Sequence, residues 1–104
     1  MAPMWICLND AFLSIVAHRN KPGVLLVRAR RPGDIERTFP SVTTYQDEHA
    51  DYRYRADIPA DQVAASIAGK VEGIDYDNFK SSVTDGELHD AYMRVWSVMF
   101  GLQK

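Results

Sequence analysis

Two short apolar stretches near the N-terminus, residues 5–8 and 11–18, are rich in aromatic and β-branched side chains and separated only by Asn9-Asp10. That spacing predicts two strands joined as a tight hairpin. In the second stretch Leu13, Ile15 and Ala17 alternate with Phe12, Ser14, Val16 and His18, so the two sets face opposite ways, with the Leu13 side as the core side. Asn20-Lys21-Pro22-Gly23 signals a turn. Residues 24–30 then predict a third strand, with Leu25, Val27 and Ala29 on one face and Arg28 and Arg30 on the other. Residues 52–58 alternate most regularly and predict a fourth strand. Its period sends Tyr52, Tyr54, Ala56 and Ile58 inward and Arg53, Arg55 and Asp57 outward.

Helical spacing governs the remaining segments. Pro32-Gly33-Asp34 opens a short helix in which Ile35 and Phe39 share a face, and Pro40 blocks its continuation. Pro59 and Asp61 suit the first turn of a longer helix whose stripe is Val63, Ala64, Ile67, Ala68 and Val71, closed by Gly73. Thr84 and Glu87 have the capping-box spacing. After them Leu88, Tyr92, Val95, Trp96, Met99 and Leu102 recur at helical intervals and predict a core face about four turns long. Residues 41–51 are polar and acidic without a period and predict a surface loop. Residues 74–83 predict an irregular or short helical connection anchored by Ile74, Phe79 and Val83. The order β-β-β-α-β-α-α implies one α+β domain over residues 1–104, with a mostly antiparallel four-stranded sheet and two longer helices packed on one face. The opposite face is left open or meets a partner.

A length of 104 residues, 46% hydrophobic and 25% charged, is that of one globular domain with a real core and excludes disordered, collagen-like and low-complexity classes. Twelve basic against fourteen acidic side chains leave a net charge of -2, so attraction to nucleic acid has to come from a local patch. Cys7 is the only cysteine, which excludes an internal disulfide and favours a reducing, cytoplasmic setting. Its thiol reads as buried and inert. The N-terminus shows no basic leader ahead of its apolar residues, and no apolar run reaches membrane-spanning length, so neither secretion nor a membrane is expected.

The candidate chemistry is cationic. Arg28 and Arg30 share one parity and Arg53 and Arg55 another, each opposite the apolar side of its strand. If the two strands are neighbours, four guanidiniums form one patch, which His18, Arg19 and Arg31 extend at the strand ends. Arginine captures phosphate or carboxylate bidentately, and an open sheet face is a platform for single-stranded nucleic acid. Such platforms also present aromatic rings, and Phe12 is the single candidate stacker in this reading. The competing account has the arginines paired with Asp57, Asp10, Glu36 and the loop acids as an ordinary solvated surface. Replacing the four by alanine is expected to abolish partner capture and leave the thermal midpoint within a few degrees.

Other features carry less. Asp75-Tyr76-Asp77-Asn78 fails the calcium-loop pattern at Phe79 and Lys80, and reads instead as side chains capping a following helix. His18, His49 and His89 lie on different elements with no shared spacing, and the adjacent His89-Asp90 point about 100° apart on a helix. No Gly-rich phosphate loop, nucleophile elbow or paired catalytic carboxylates occur, so no reaction, cofactor or metal is indicated. Met93 and Phe100 are apolar and off the main stripe of the last helix, which suits a second buried side or contact with another subunit.

The runs from Leu25 to Glu36, Asp51 to Ala56, Ile74 to Val83 and Leu88 to Tyr92 resemble those of small bacterial proteins of similar length to which no activity is attached, so the resemblance transfers no site residue. The leading expectation is a small non-enzymatic interaction module whose arginine-bearing sheet face binds an acidic partner, protein or nucleic acid. The alternatives are a phage or mobile-element inhibitor docking on a host nucleic-acid-targeting defence complex, and a small enzyme whose site is assembled only in the fold.

Overall fold

The computed structural model describes residues 4–104. Residues 1–3, on which the expectation of no basic leader partly rests, lie outside them. Strands β1 (Met4–Cys7), β2 (Phe12–Ala17) and β3 (Val24–Ala29) are followed by helix α1 (Asp34–Thr38), strands β4 (Tyr45–Gln46) and β5 (Tyr54–Pro59), and helices α2 (Ala60–Glu72), α3 (Phe79–Ser82) and α4 (Gly86–Phe100). All strand pairs are antiparallel, in the order β1-β2-β3-β5-β4. The sheet therefore has five strands rather than four. The additional strand, β4, lies within the stretch read as a loop. Two residues are too few to show a period-two pattern, and pairing with β5 alone defines it.

The alternation in β2, β3 and β5 puts Leu13, Ile15, Val27, Ala29, Ala56 and Ile58 on one face, where Ile35 and Phe39 of α1 and Val63 of α2 close over them. Two positive-φ glycines allow the turns this needs. Gly23 (φ 75) reverses the chain between β2 and β3, and Gly33 (φ 89) starts α1, a backbone region costly for any residue with a Cβ. Asp34, only 1% exposed, ties this corner together: it accepts from the Phe12 N–H at 3.1 Å and pairs with Arg31 and Arg37.

The two longer helices do not share a face. Helix α2 packs on the core through Val63 and Ile67, with Ala64, Ala68 and Val71 of its expected stripe exposed. Helix α4 instead joins a separate small cluster in which Val83, Leu88 and Tyr92 pack with Phe12 and Phe79, and Phe12 belongs to the sheet side opposite Leu13. The Tyr92 hydroxyl lies 2.9 Å from the carbonyl oxygens of both Leu8 and Ala11 and donates to the turn of the β1–β2 hairpin. Only Leu88 and Tyr92 of the predicted six-residue stripe are buried. Val95, Trp96, Met99 and Leu102 are exposed, because the helix runs past the edge of the surface that would cover them. Its cap is Asp85, whose carboxylate accepts from the Leu88 N–H at 3.0 Å, one residue beyond the Thr84 expected from the capping-box spacing. Asn78 caps α3 by accepting from the Ser81 N–H.

Candidate functional site

The registers of the five strands place Trp5, Ser14, Arg28, Arg55 and Tyr45 in a single file across the face opposite Leu13 and Val27. Arg28 and Arg55 are direct cross-strand partners, close enough for like charges to repel. The paired residues end at Ala29 and Tyr54, so Arg30 and Arg53 lie just beyond the ladder. The sheet thus brings Arg28 beside Arg55, and Arg30 joins Arg28 where both guanidiniums meet the Tyr52 ring.

None of the four is neutralised by a carboxylate among the described residues. Arg28 donates to Ser14 Oγ at 2.8 Å, Arg30 to the Asp51 carbonyl at 2.8 Å, and Arg55 to the Tyr52 carbonyl at 3.1 Å. Arg53 is exposed. These partners are neutral dipoles.

Tyr52 departs from its expected place. The residue precedes the regular part of β5, so strand parity does not bind it. Its ring lies on the arginine side, 4.6 Å from the Arg28 guanidinium carbon and 4.1 Å from that of Arg30, and is 3% exposed. The two guanidiniums rest on its π face and shield it from water. Alanine at Arg28 and Arg30 would uncover this ring, so the fourfold alanine replacement is not neutral for stability.

The flanking residues of the expected patch behave differently. Arg31 is engaged by Asp34, Asp85 and Glu87 at 3.4, 3.2 and 3.4 Å, so its charge is answered within the chain. His18 Nδ1 accepts from the Asn20 N–H, and Nε2 donates to Asp57 at 3.2 Å. Asp57 also accepts from Lys21 Nζ at 2.8 Å and from the Tyr45 hydroxyl at 2.7 Å. Those hydrogen bonds, Lys21 first and Tyr45 second, hold its carboxyl below the usual carboxylate range. Tyr45 in turn is pushed up to about 12 by desolvation and by the adjacent Asp57. Among the described residues Arg28, Arg30, Arg53 and Arg55 make no ion pair, while Arg31 and His18 are engaged by carboxylates.

Aromatic rings border the arginines. Trp5 is 58% exposed and meets Phe12 edge-on, with centroids 5.7 Å apart. Tyr45, 44% exposed, stands at the far end of the file. Neither was singled out from the sequence. Trp5 was within reach of the alternation, since the hairpin register sets it opposite Ser14. Tyr45 lay in an aperiodic stretch that offered no signal.

Beside Arg30 a cleft of about 280 Å³ opens between the sheet and α4, walled by Trp5, Cys7, Phe12, Leu88, Tyr92 and Val95. Cys7 is exposed on the edge strand rather than buried, and desolvation pushes its thiol pKa up. Burial likewise pushes the Tyr92 hydroxyl up. No histidine lines this cleft: His18 meets Asp57, His89 meets Asp90 at 3.3 Å, and His49 is exposed. Among the described residues no three His, Cys, Asp or Glu converge as a metal site requires, and no helix is long and apolar enough to cross a membrane.

Comparison of the chain with protein-family models, curated proteins and solved structures gives no match, so the site itself carries the functional argument.

Proposed function

We propose that the arginine face is a binding platform for single-stranded nucleic acid, with Arg28, Arg30, Arg53 and Arg55 taking phosphates and the exposed Trp5 offering its ring to bases. The observation that carries this reading is the unneutralised guanidinium cluster on a sheet face bordered by exposed aromatic side chains. Guanidinium forks match phosphate oxygens bidentately, and rings beside them stack bases of any sequence. The net charge of -2 confines the attraction to this face.

The test is fluorescence anisotropy of a labelled single-stranded oligonucleotide across a salt series. Four phosphate contacts to a single strand predict a log-log slope of about -2.8, hence a loss of about 50-fold over a fourfold salt rise. Arg53→Glu with Trp5→Ala changes two exposed residues and is expected to weaken binding at least tenfold, with an unchanged circular dichroism spectrum. Equal affinity in that variant removes the site from the reading. Absence of oligonucleotide binding, together with tight and salt-insensitive capture of a host protein, would transfer the face to the mobile-element inhibitor alternative.

A further inference from the structure

The geometry points to a symmetric pair of chains joined through the C-terminal half of α4. Every large apolar side chain from Val95 to Leu102 is exposed: Val95, Trp96, Val98, Met99, Phe100 and Leu102 range from 44% to 74%. Val95, Met99 and Leu102 continue the stripe that buries Leu88 and Tyr92 earlier in the same helix. The pattern is thus one of burial along the whole helix, and the sheet covers only its first half. The overhang is visible in the dimensions, 40 × 30 × 27 Å with a radius of gyration of 14.4 Å, against about 13 Å for a compact domain of this size.

The occupant follows from charge and area. No charged residue lies between Val95 and Leu102, so a nucleic acid or an acidic protein gains nothing there. The patch asks for another uncharged apolar surface, and the chain itself offers one of matching length. Two antiparallel α4 segments related by a two-fold axis near Val98 and Met99 set Val95 of each copy toward Leu102 of the other, a self-complementary arrangement. Trp96 lies at the border of the strip, where Phe100 stacks on it at 5.2 Å and Lys80 lies 4.7 Å over its ring.

These half-exposed side chains present on the order of 500 Å² of apolar surface per copy. With a polar rim, a pair reaches the roughly 1,200 Å² at which specific interfaces begin. The cleft adds continuity, because Val95 lines it and Trp5 forms its other wall, so the apolar strip extends from the overhang onto the sheet. Of the two residues that suit a subunit contact on sequence grounds, Phe100 lies in the overhang and Met93 is half-buried at its start. This inference stands independently of the nucleic-acid reading.

Sedimentation equilibrium of the 104-residue chain tests it, over a concentration range from low micromolar to sub-millimolar. The expected mass rises from one chain of 11.8 kDa to a plateau at two. In a Trp5→Phe background the remaining Trp96 emission should shift to shorter wavelength over the same range. Val98→Glu, at an exposed position, should keep the thermal midpoint at concentrations where the wild type is monomeric, and Val98→Glu and Phe100→Glu should each shift the dimer dissociation constant at least tenfold upward. A wild-type chain that stays monomeric throughout overturns the pair, as does a mass that climbs past two chains without a plateau. Glutamate variants that associate as the wild type does overturn the assigned surface.

Discussion

The two faces of the sheet are built from the same strands and the same alternation, and they end in different states. On one, Leu13, Val27, Ala56 and Ile58 are fully buried beneath α1 and α2. On the other, Arg28 and Arg55 stand opposite each other and answer their charge with a hydroxyl, carbonyl oxygens and the ring of Tyr52. The first face holds the fold together through dispersion and the exclusion of water. The second sets Arg28 and Arg55 side by side without a carboxylate partner, an arrangement in which like charges repel. Stability and binding potential are thus separated by one residue of register along each strand.

The largest expected effect sharpens this contrast at the core. Phe39→Ala, at a position 2% exposed, is expected to cost about 3–5 kcal/mol in urea denaturation. A loss below about 1 kcal/mol would mean that α1 is not a real lid. Next, Arg28→Ala should cost about 1–2 kcal/mol, since it removes the bond to Ser14 and uncovers Tyr52. Arg53→Ala, by contrast, should fall within about 0.5 kcal/mol of the wild type. Equal costs for the two would erase the distinction between an arginine that packs and one that waits for a ligand.

Smaller effects come from Asp57 and Tyr45 at the rim. The Asp57 carboxyl is lowered in the fold, so its contribution is complete above the unfolded value of 3.8 and is lost as pH falls through the lower folded value. Asp57→Asn should therefore narrow its stability gap from the wild type on acidification, seen as converging thermal midpoints below pH 4. Tyr45 is raised from 10.0 to about 12. Its contribution is complete below 10 and disappears as pH rises through 12. Absorbance titration should show two tyrosines, Tyr45 and Tyr92, ionising late, and Tyr45→Phe should remove one of the two.

The alternation in residues 13–17, 25–29 and 54–58 was legible because a strand with one buried face must repeat every two residues. The neighbouring of Arg28 and Arg55 followed from it once β3 paired with β5. Tyr52 was misplaced because the period was carried two residues beyond the point where the strand begins. Tyr45 was missed because β4 exists only through its pairing with β5. For α4 the helical stripe was read correctly as a stripe and wrongly as a core face.

Periodicity in the chain determined which side chains share a side of each strand or helix, since backbone geometry alone imposes that relation. Whether another element arrives to cover that side was decided by tertiary packing. The β1–β2 turn holds Tyr92 and stops the contact there, so the same apolar spacing is buried at Leu88 and wet at Met99. Burial depends on what lies across the gap, and no local pattern encodes how far the opposing surface extends.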